Sequence, residues 1–306
     1  MEIKNVSIVG MGSLGLIFGS FLYDKIGKEN VEYIVDKARA EISEYGHRII
    51  NGKEYNFNVV SEDDENHKAD LIIFAVKSTA LEEAIKIVKN RVGQSTLMIS
   101  LQNGINSEEV ISKVYGSGNV LYTIAEGMDP IRDKNTLNFK KMGYLRTGTD
   151  TDENGKRERL DILLKFFDSI DFPYIYEEDV KHRLWSKFML NVGVNQVVMI
   201  NEGNFDSIQS PGPQRDLVIA AMREVMDLAK EENINLTEED FKFYLNLVDS
   251  LDPNGMPSMR FDGLHKIKSE VDIFAGTVLK LGEKHGIDTP VNKEIYNKIK
   301  EIEADY

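Results

Sequence analysis

Val6-Ser7-Ile8-Val9-Gly10-Met11-Gly12-Ser13-Leu14-Gly15 decides the fold: an apolar run of strand length meets G-x-G-x-x-G, and Leu16-Ile17-Phe18 carries it on as a helix. Each glycine has its own steric task. Gly10 permits a tight turn, Gly12 lets the backbone approach a pyrophosphate, and Gly15 lets the helix lie close to the strand while its first N–H groups face the anion. Alone the pattern is weak, since a glycine-rich turn is ordinary in an α/β protein. Its place between strand and helix, in a strand-helix-strand unit that closes at Val35, makes it a dinucleotide-binding loop. Asp36 ends the second strand, where a carboxylate accepts hydrogen bonds from ribose hydroxyls and repels a 2′-phosphate. Lys37 and Arg39 follow it, either as partners for such a phosphate or as solvated charges of a first helical turn.

Outward from this loop, short apolar runs alternate with longer amphipathic ones, the pattern of helices wound around a parallel sheet. Strands are expected at 5–9, 31–35, 71–76, 96–101 and 119–124, and helices at 13–26, 79–91 and 107–115. Asn51-Gly52, between Ile49-Ile50 and the Tyr55/Phe57/Val59 alternation, signals a tight hairpin. Leu137 to Leu145 alternates again and is expected to add an antiparallel edge. After Glu178 strand patterns vanish. Thr237-Glu238-Glu239-Asp240 is a helix N-cap signature before 241–251, Asp252-Pro253-Asn254-Gly255 closes that helix, and 214–232 has the spacing of a mostly buried helix. The expected organisation is an α/β, Rossmann-type dinucleotide-binding domain over residues 1–177 and an all-helical substrate and dimerisation domain over 178–306.

Composition narrows the chemistry. The 306 residues carry 51 acidic against 37 basic side chains, a net charge of −14, with no local basic patch to hold a nucleic acid against that field. The chain has no cysteine, so thiolate nucleophiles, thiolate metal sites and disulfides are excluded, and the five histidines show no metal-ligand spacing. No metal is expected. No run approaches about 18 uninterrupted apolar residues, and the N-terminus enters a strand directly without a leader pattern, which points to a cytoplasmic protein and no membrane partner.

The most informative later stretch is Leu184 to Ile200, apolar except at Ser186, Lys187, Asn191, Asn195 and Gln196. Lys187, Asn191 and Asn195 recur every four residues and form one stripe on a helix. Burying an ammonium and two amides without partners costs several kcal/mol, so something polar must face them. The plain alternative is a solvent-facing stripe, although such stripes are usually wider and richer in Glu and Lys. Further on, Ser258 reads as a helix cap. Glu270, near Lys266 and Lys268, reads by its local pattern as a surface carboxylate.

Taken in order, Gly10-Met11-Gly12-Ser13-Leu14-Gly15, Val76-Lys77, Gln102-Asn103-Gly104, Trp185-x-Lys187-x-x-x-Asn191-x-x-x-Asn195 and Ser258-Met259-x-x-Asp262 with Glu270 resemble the ketopantoate reductases (2-dehydropantoate 2-reductases) over nearly the whole chain. The resemblance implies two domains with the active site in the cleft between them, and a role in pantothenate biosynthesis. It also implies hydride transfer from nicotinamide to the C2 carbonyl of a 2-oxo acid. In that scheme Lys187 is the general acid, Asn191 and Asn195 hold the substrate, Ser258 meets its carboxylate and Glu270 a substrate hydroxyl. Asn103 lies at both cofactor and substrate, and Lys77 contacts the cofactor beside the glycine loop, Asp36 and Lys37. The cofactor so implied is NADPH, with NADH open because Asp36 stands where many members carry a basic residue. A homodimer is among the expectations.

Phe261 stands where glutamine is frequent in the family, and its ring suits a bulkier or more apolar oxo acid. Asp36 and Phe261 together support a rival reading, an NAD-dependent 2-hydroxy acid dehydrogenase resembling the D-mandelate dehydrogenases. A rival of another class is a non-catalytic module that senses dinucleotides, against which the intact set Lys187, Asn191, Asn195 and Glu270 argues. Hydroxyacyl-CoA dehydrogenases need a histidine with an acidic partner, and His182 shows none in the sequence.

Overall fold

In the computed structural model, which describes residues 2–150 and 155–306, the chain divides into two compact units, Met1–Val180 and Lys181–Tyr306. The expected boundary at 177 lies in the turn just before the helix that opens the second unit.

The first unit is built on an eight-stranded sheet. Its strands are β1 (Val6–Val9), β2 (Val31–Val35), β5 (Asn58–Ser61), β6 (Leu71–Phe74), β7 (Leu97–Ser100), β8 (Val120–Glu126), β11 (Tyr144–Gly148) and β12 (Tyr174–Tyr176). They run in the order β12-β11-β8-β7-β6-β1-β2-β5. From β5 through β8 every pairing is parallel, β11 runs antiparallel to β8, and β12 follows β11. Strands β1, β2, β6 and β7 are buried on both faces, as parallel strands covered by helices are. Their alternation feeds two cores. Val6 and Ile8 face a core with α1 (Ser13–Ile26) and α5 (Lys156–Ser169), while Val9 faces another with α3 (Leu81–Ile87) and α4 (Ser107–Tyr115).

A second, four-stranded sheet holds β3 (His47–Ile50), β4 (Lys53–Asn56), β9 (Ile131–Asp133) and β10 (Thr136–Asn138), in the order β4-β3-β10-β9. The β3–β4 hairpin turns at Asn51 and Gly52 with φ of 49° and 79°, the paired positive φ values that Asn-Gly supplies cheaply. Its partner strand corrects the reading of Leu137 to Leu145. That stretch is not one edge: β10 pairs with β3, then Gly143 at φ 72° turns the chain, and β11 joins the main sheet. A Cβ at Gly143 would also press on Met128, so only glycine fits this switch.

The second unit is helical: α6 (Val180–Ile200), α7 (Asp206–Gln209), α8 (Pro213–Glu231), α9 (Glu238–Asp249), α10 (Ser258–Leu264), α11 (Ala275–His285) and α12 (Pro290–Glu303). Thr237 and Asp240 cap α9 reciprocally, so the capping box read from the sequence exists. Gly193 lets α6 meet α8 closely, since a Cβ there would come within 2.7 Å of Met222. No helix among the described residues is long and apolar enough to cross a membrane.

Candidate functional site

The glycine loop leaves β1 at the point where the sheet order reverses, with β2 on one side of β1 and β6 on the other. That is where open α/β sheets bind ligands at the carboxyl ends of their strands. Two of its glycines are explained by the protein's own packing. Gly10 has φ 107°, and a Cβ there would lie 2.6 Å from the Ala75 carbonyl, while a Cβ at Gly15 would overlap the Gly10 carbonyl. Gly12 differs. Its φ of −78° and ψ of −175° suit any residue, and a Cβ would meet only Ala75 O at 3.7 Å. Nothing in the protein requires glycine at 12, so the missing side chain leaves a cradle for a group from outside, and a pyrophosphate fits it. Ser13 and Leu14 open α1 there, half-buried, while the Met11 side chain turns into the core.

At the end of β2, Asp36 caps the short helix α2 (Lys37–Ala40). Its carboxylate accepts the Arg39 N–H at 2.9 Å and pairs with the Arg39 guanidinium at 3.0 Å. Lys37 is exposed beside it. Lys77 follows β6 and Asn103 follows β7, and the Gln102 amide donates to the Val76 carbonyl at 3.0 Å, tying these two loops together. The unit thus brings Gly10 to Gly15, Asp36, Lys77 and Asn103 to the carboxyl ends of four adjacent strands.

Two residues at this loop were not singled out in the sequence. Arg132 of β9 donates to the Met11 carbonyl at 2.9 Å, and Arg48 of β3 reaches the Met11 sulfur at 3.7 Å. Arg48 is buried, and burial followed by the like charge of Arg132 pulls its pKa below the usual arginine range. The available signal was its register, for Arg48 shares the inward face of β3 with Ile50.

In the second unit, Lys187, Asn191 and Asn195 lie on one face of α6, opposite Gly193. Asn191 and Asn195 are 8% and 9% exposed, and neither side chain makes a hydrogen bond among the described residues. Gln196 is instead fully engaged, donating to Val192 O at 2.7 Å and accepting from Ala275 N at 3.0 Å. That bond docks the start of α11 on α6. Gly263 of α10 comes close to Met199, one turn beyond Asn195.

Two local readings are corrected here. Glu270 is 9% exposed, not a surface carboxylate, because the Ser269 N–H and hydroxyl bind Glu303 of α12 at 2.7 and 2.5 Å and Ala275 binds Gln196, drawing the intervening segment inward. Ser258 does not cap α10: Pro257 occupies that position without a side-chain bond, and Ser258 is the exposed first residue of the helix. His182 also has an acidic partner that sequence separation concealed, Asp240 at 3.1 Å. Asp240 is committed to Thr237 at the α9 cap. Burial raises its pKa, but the Thr237 and His182 contacts outweigh that and leave it low. The pair belongs to the helix cap.

The family described as "Ketopantoate reductase PanE/ApbA" matches residues 6–148, and "Ketopantoate reductase PanE/ApbA C terminal" matches 179–303. A 2-dehydropantoate 2-reductase of Aquifex aeolicus is 31% identical over 245 residues, 76% of each chain. Among solved structures, a D-mandelate dehydrogenase with NADH and anilino(oxo)acetate superposes with a TM-score of 0.85 at 20% identity, covering 98% of both chains. A dimeric ketopantoate reductase from Staphylococcus aureus gives 0.80 at 19% identity, covering 98% of this chain and 99% of its own. The two likenesses show the fold. The profile matches and the Aquifex aeolicus relative show more: the chain belongs to the ketopantoate reductase PanE/ApbA family.

Proposed function

We propose that this oxidoreductase reduces the C2 carbonyl of a 2-oxo acid, 2-dehydropantoate, to the 2-hydroxy acid. The observation that carries the reading is the pair Asn191 and Asn195, two largely buried residues whose amides stay open to solvent and bond to none of the described residues, each one turn further along α6 from Lys187. Amides left open on an otherwise apolar helix can trade their water for a substrate's carboxylate and hydroxyls. Bound nicotinamide dinucleotide supplies the hydride. Lys187 meets the carbonyl oxygen as negative charge grows there and returns a proton from its ammonium. Ser258 and Glu270 bind the carboxylate and hydroxyl ends, and the glycine loop, Lys77 and Asn103 hold the cofactor. By likeness to the dimeric Staphylococcus aureus enzyme, the working form is a homodimer.

NADPH is the expected cofactor. The Arg39 guanidinium already neutralises much of Asp36, which weakens the carboxylate's repulsion of a 2′-phosphate. A second reading, NADH with an aryl-substituted oxo acid, is favoured by Asp36 itself and by the exposed Phe261 ring, whose centroid lies 4.2 Å from that of His265 with the two rings tilted at 34°.

Steady-state rates with several 2-oxo acids, each with NADH and NADPH, test both. Lys187→Ala should lower kcat about 10²-fold or more with the 2-oxo acid that wild type prefers, because general-acid assistance alone is typically worth 10²–10⁴. Its unfolding midpoint should stay near wild type. Near-native kcat in that variant removes Lys187 from the chemistry, and higher kcat/KM with NADH and an aryl oxo acid replaces the first reading with the second.

A further inference from the structure

The middle residue of Gly10-Met11-Gly12 is gripped by two arginines that reach it from 37 and 121 residues away. Arg132 donates Nη1 to the Met11 carbonyl at 2.9 Å and Nε to Lys134 O at 3.3 Å. Its Nη2 makes no hydrogen bond among the described residues, and the side chain is exposed. Arg48 donates Nη1 to the carbonyls of Tyr45 and His47, each at 2.7 Å, and places Nη2 at the Met11 sulfur. Its Nε is buried and unpartnered. Among the described residues, neither guanidinium has a carboxylate partner.

We propose that Arg132, seated on the Met11 carbonyl with Arg48 behind it, is a further cofactor-binding residue whose open Nη2 edge takes the diphosphate common to NADH and NADPH. The inference rests on the reading of the first unit as the dinucleotide-binding unit. Three physical effects converge on it. A guanidinium on the Met11 carbonyl masks an oxygen that would repel an anion, and it polarises the Met11–Gly12 peptide so that the Gly12 N–H donates more strongly. An exposed arginine edge forms charge-assisted bonds to phosphate oxygens. Two like charges held together by carbonyls and a sulfur are relieved by an arriving anion. The diphosphate is favoured over the 2′-phosphate because Met11 lies in the loop that follows β1, whereas Asp36 follows the neighbouring β2 and has its own arginine in Arg39.

Equilibrium binding of NADH, NADPH and ADP to the protein without oxo acid, by calorimetry, tests this. In Arg132→Ala all three dissociation constants should rise about tenfold or more, by similar factors, while KM for the oxo acid is unchanged. Arg132→Gln, which keeps an N–H for the Met11 carbonyl but has no charge, should recover little affinity. Unchanged constants in Arg132→Ala overturn the proposal, as does full recovery in Arg132→Gln, which makes the residue a latch. A loss confined to NADPH moves it to the 2′-phosphate and also overturns the assignment. A wild-type protein that binds none of the three ligands defeats the dinucleotide reading itself, a result distinct from any Arg132 outcome.

Discussion

Two arginines are buried in the first unit, and they dispose of their charge in opposite ways. Arg91, 1% exposed, has its Nε on Glu32 at 2.6 Å, its Nη2 at 3.4 Å from an Asp64 carboxylate oxygen and its Nη1 on the Asp64 carbonyl. Glu32 is held in turn by the Ser7 hydroxyl at 2.7 Å. Arg48, 5% exposed, has two carbonyls, a sulfur and the charge of Arg132. Burying a charge is costly unless it is paired, so Arg91 is neutralised within a structural network, while Arg48 leaves positive potential at the glycine loop. A partner of opposite charge inside the protein marks a charge used for folding; on the proposal made above, its absence beside the glycine loop leaves a charge for a bound anion. Glu108 shows a third solution. It is buried, with only the Ser107 hydroxyl at 2.8 Å, backbone N–H groups and the charge of Lys156 to offset desolvation, which raises its pKa to about 7.

The largest effect expected from this contrast is on stability. Arg91→Met strands Glu32 in the interior and should cost about 3–5 kcal/mol in urea unfolding. Arg48→Met strands no carboxylate and removes a repulsion, so it should cost at least about 2 kcal/mol less than Arg91→Met. Equal losses would erase the distinction between the two.

Next in size is the pH dependence set by Glu108. Its folded pKa lies above the unfolded value near 4.5, so the native state holds the extra proton. Its contribution to stability is therefore present in full below pH 4.5 and declines as pH rises through 7. Glu108→Gln should be neutral near pH 4 and gain progressively up to pH 8, by at most about 3 kcal/mol. A gain that does not change with pH would show that Glu108 ionises freely in the folded protein.

The smallest effect concerns the glycine loop that Arg48 and Arg132 touch. Gly12→Ala should cost no more than about 1 kcal/mol, the loss expected when alanine replaces glycine at a helix N-cap, since there is room for the methyl group. It should nevertheless weaken dinucleotide binding about tenfold. Gly15→Ala should instead fail on stability, because its methyl group would overlap the Gly10 carbonyl. Undiminished dinucleotide affinity in Gly12→Ala would mean the cradle faces nothing.

What the sequence determined by itself was everything governed by short-range geometry. Strand-loop-helix at Gly10 to Gly15, the Asn51-Gly52 hairpin, the capping box at Thr237 and the Lys187, Asn191 and Asn195 stripe each depend on residues within a few turns of one another, so spacing alone specifies them. Tertiary structure decided what depends on neighbours distant in the chain. Alternation in Leu137 to Leu145 could not say that the two ends enter different sheets, because pairing is chosen by partner strands rather than by the run itself. Local charges around Glu270 suggested a surface, yet Ser269 and Ala275 are pulled in by Glu303 and Gln196, and burial follows from those docking bonds. Arg48 and Arg132 carry no motif at all. They meet at Met11 because β3 and β9 lie in one small sheet beside the glycine loop, and only the folded chain gives two unrelated arginines a common neighbour.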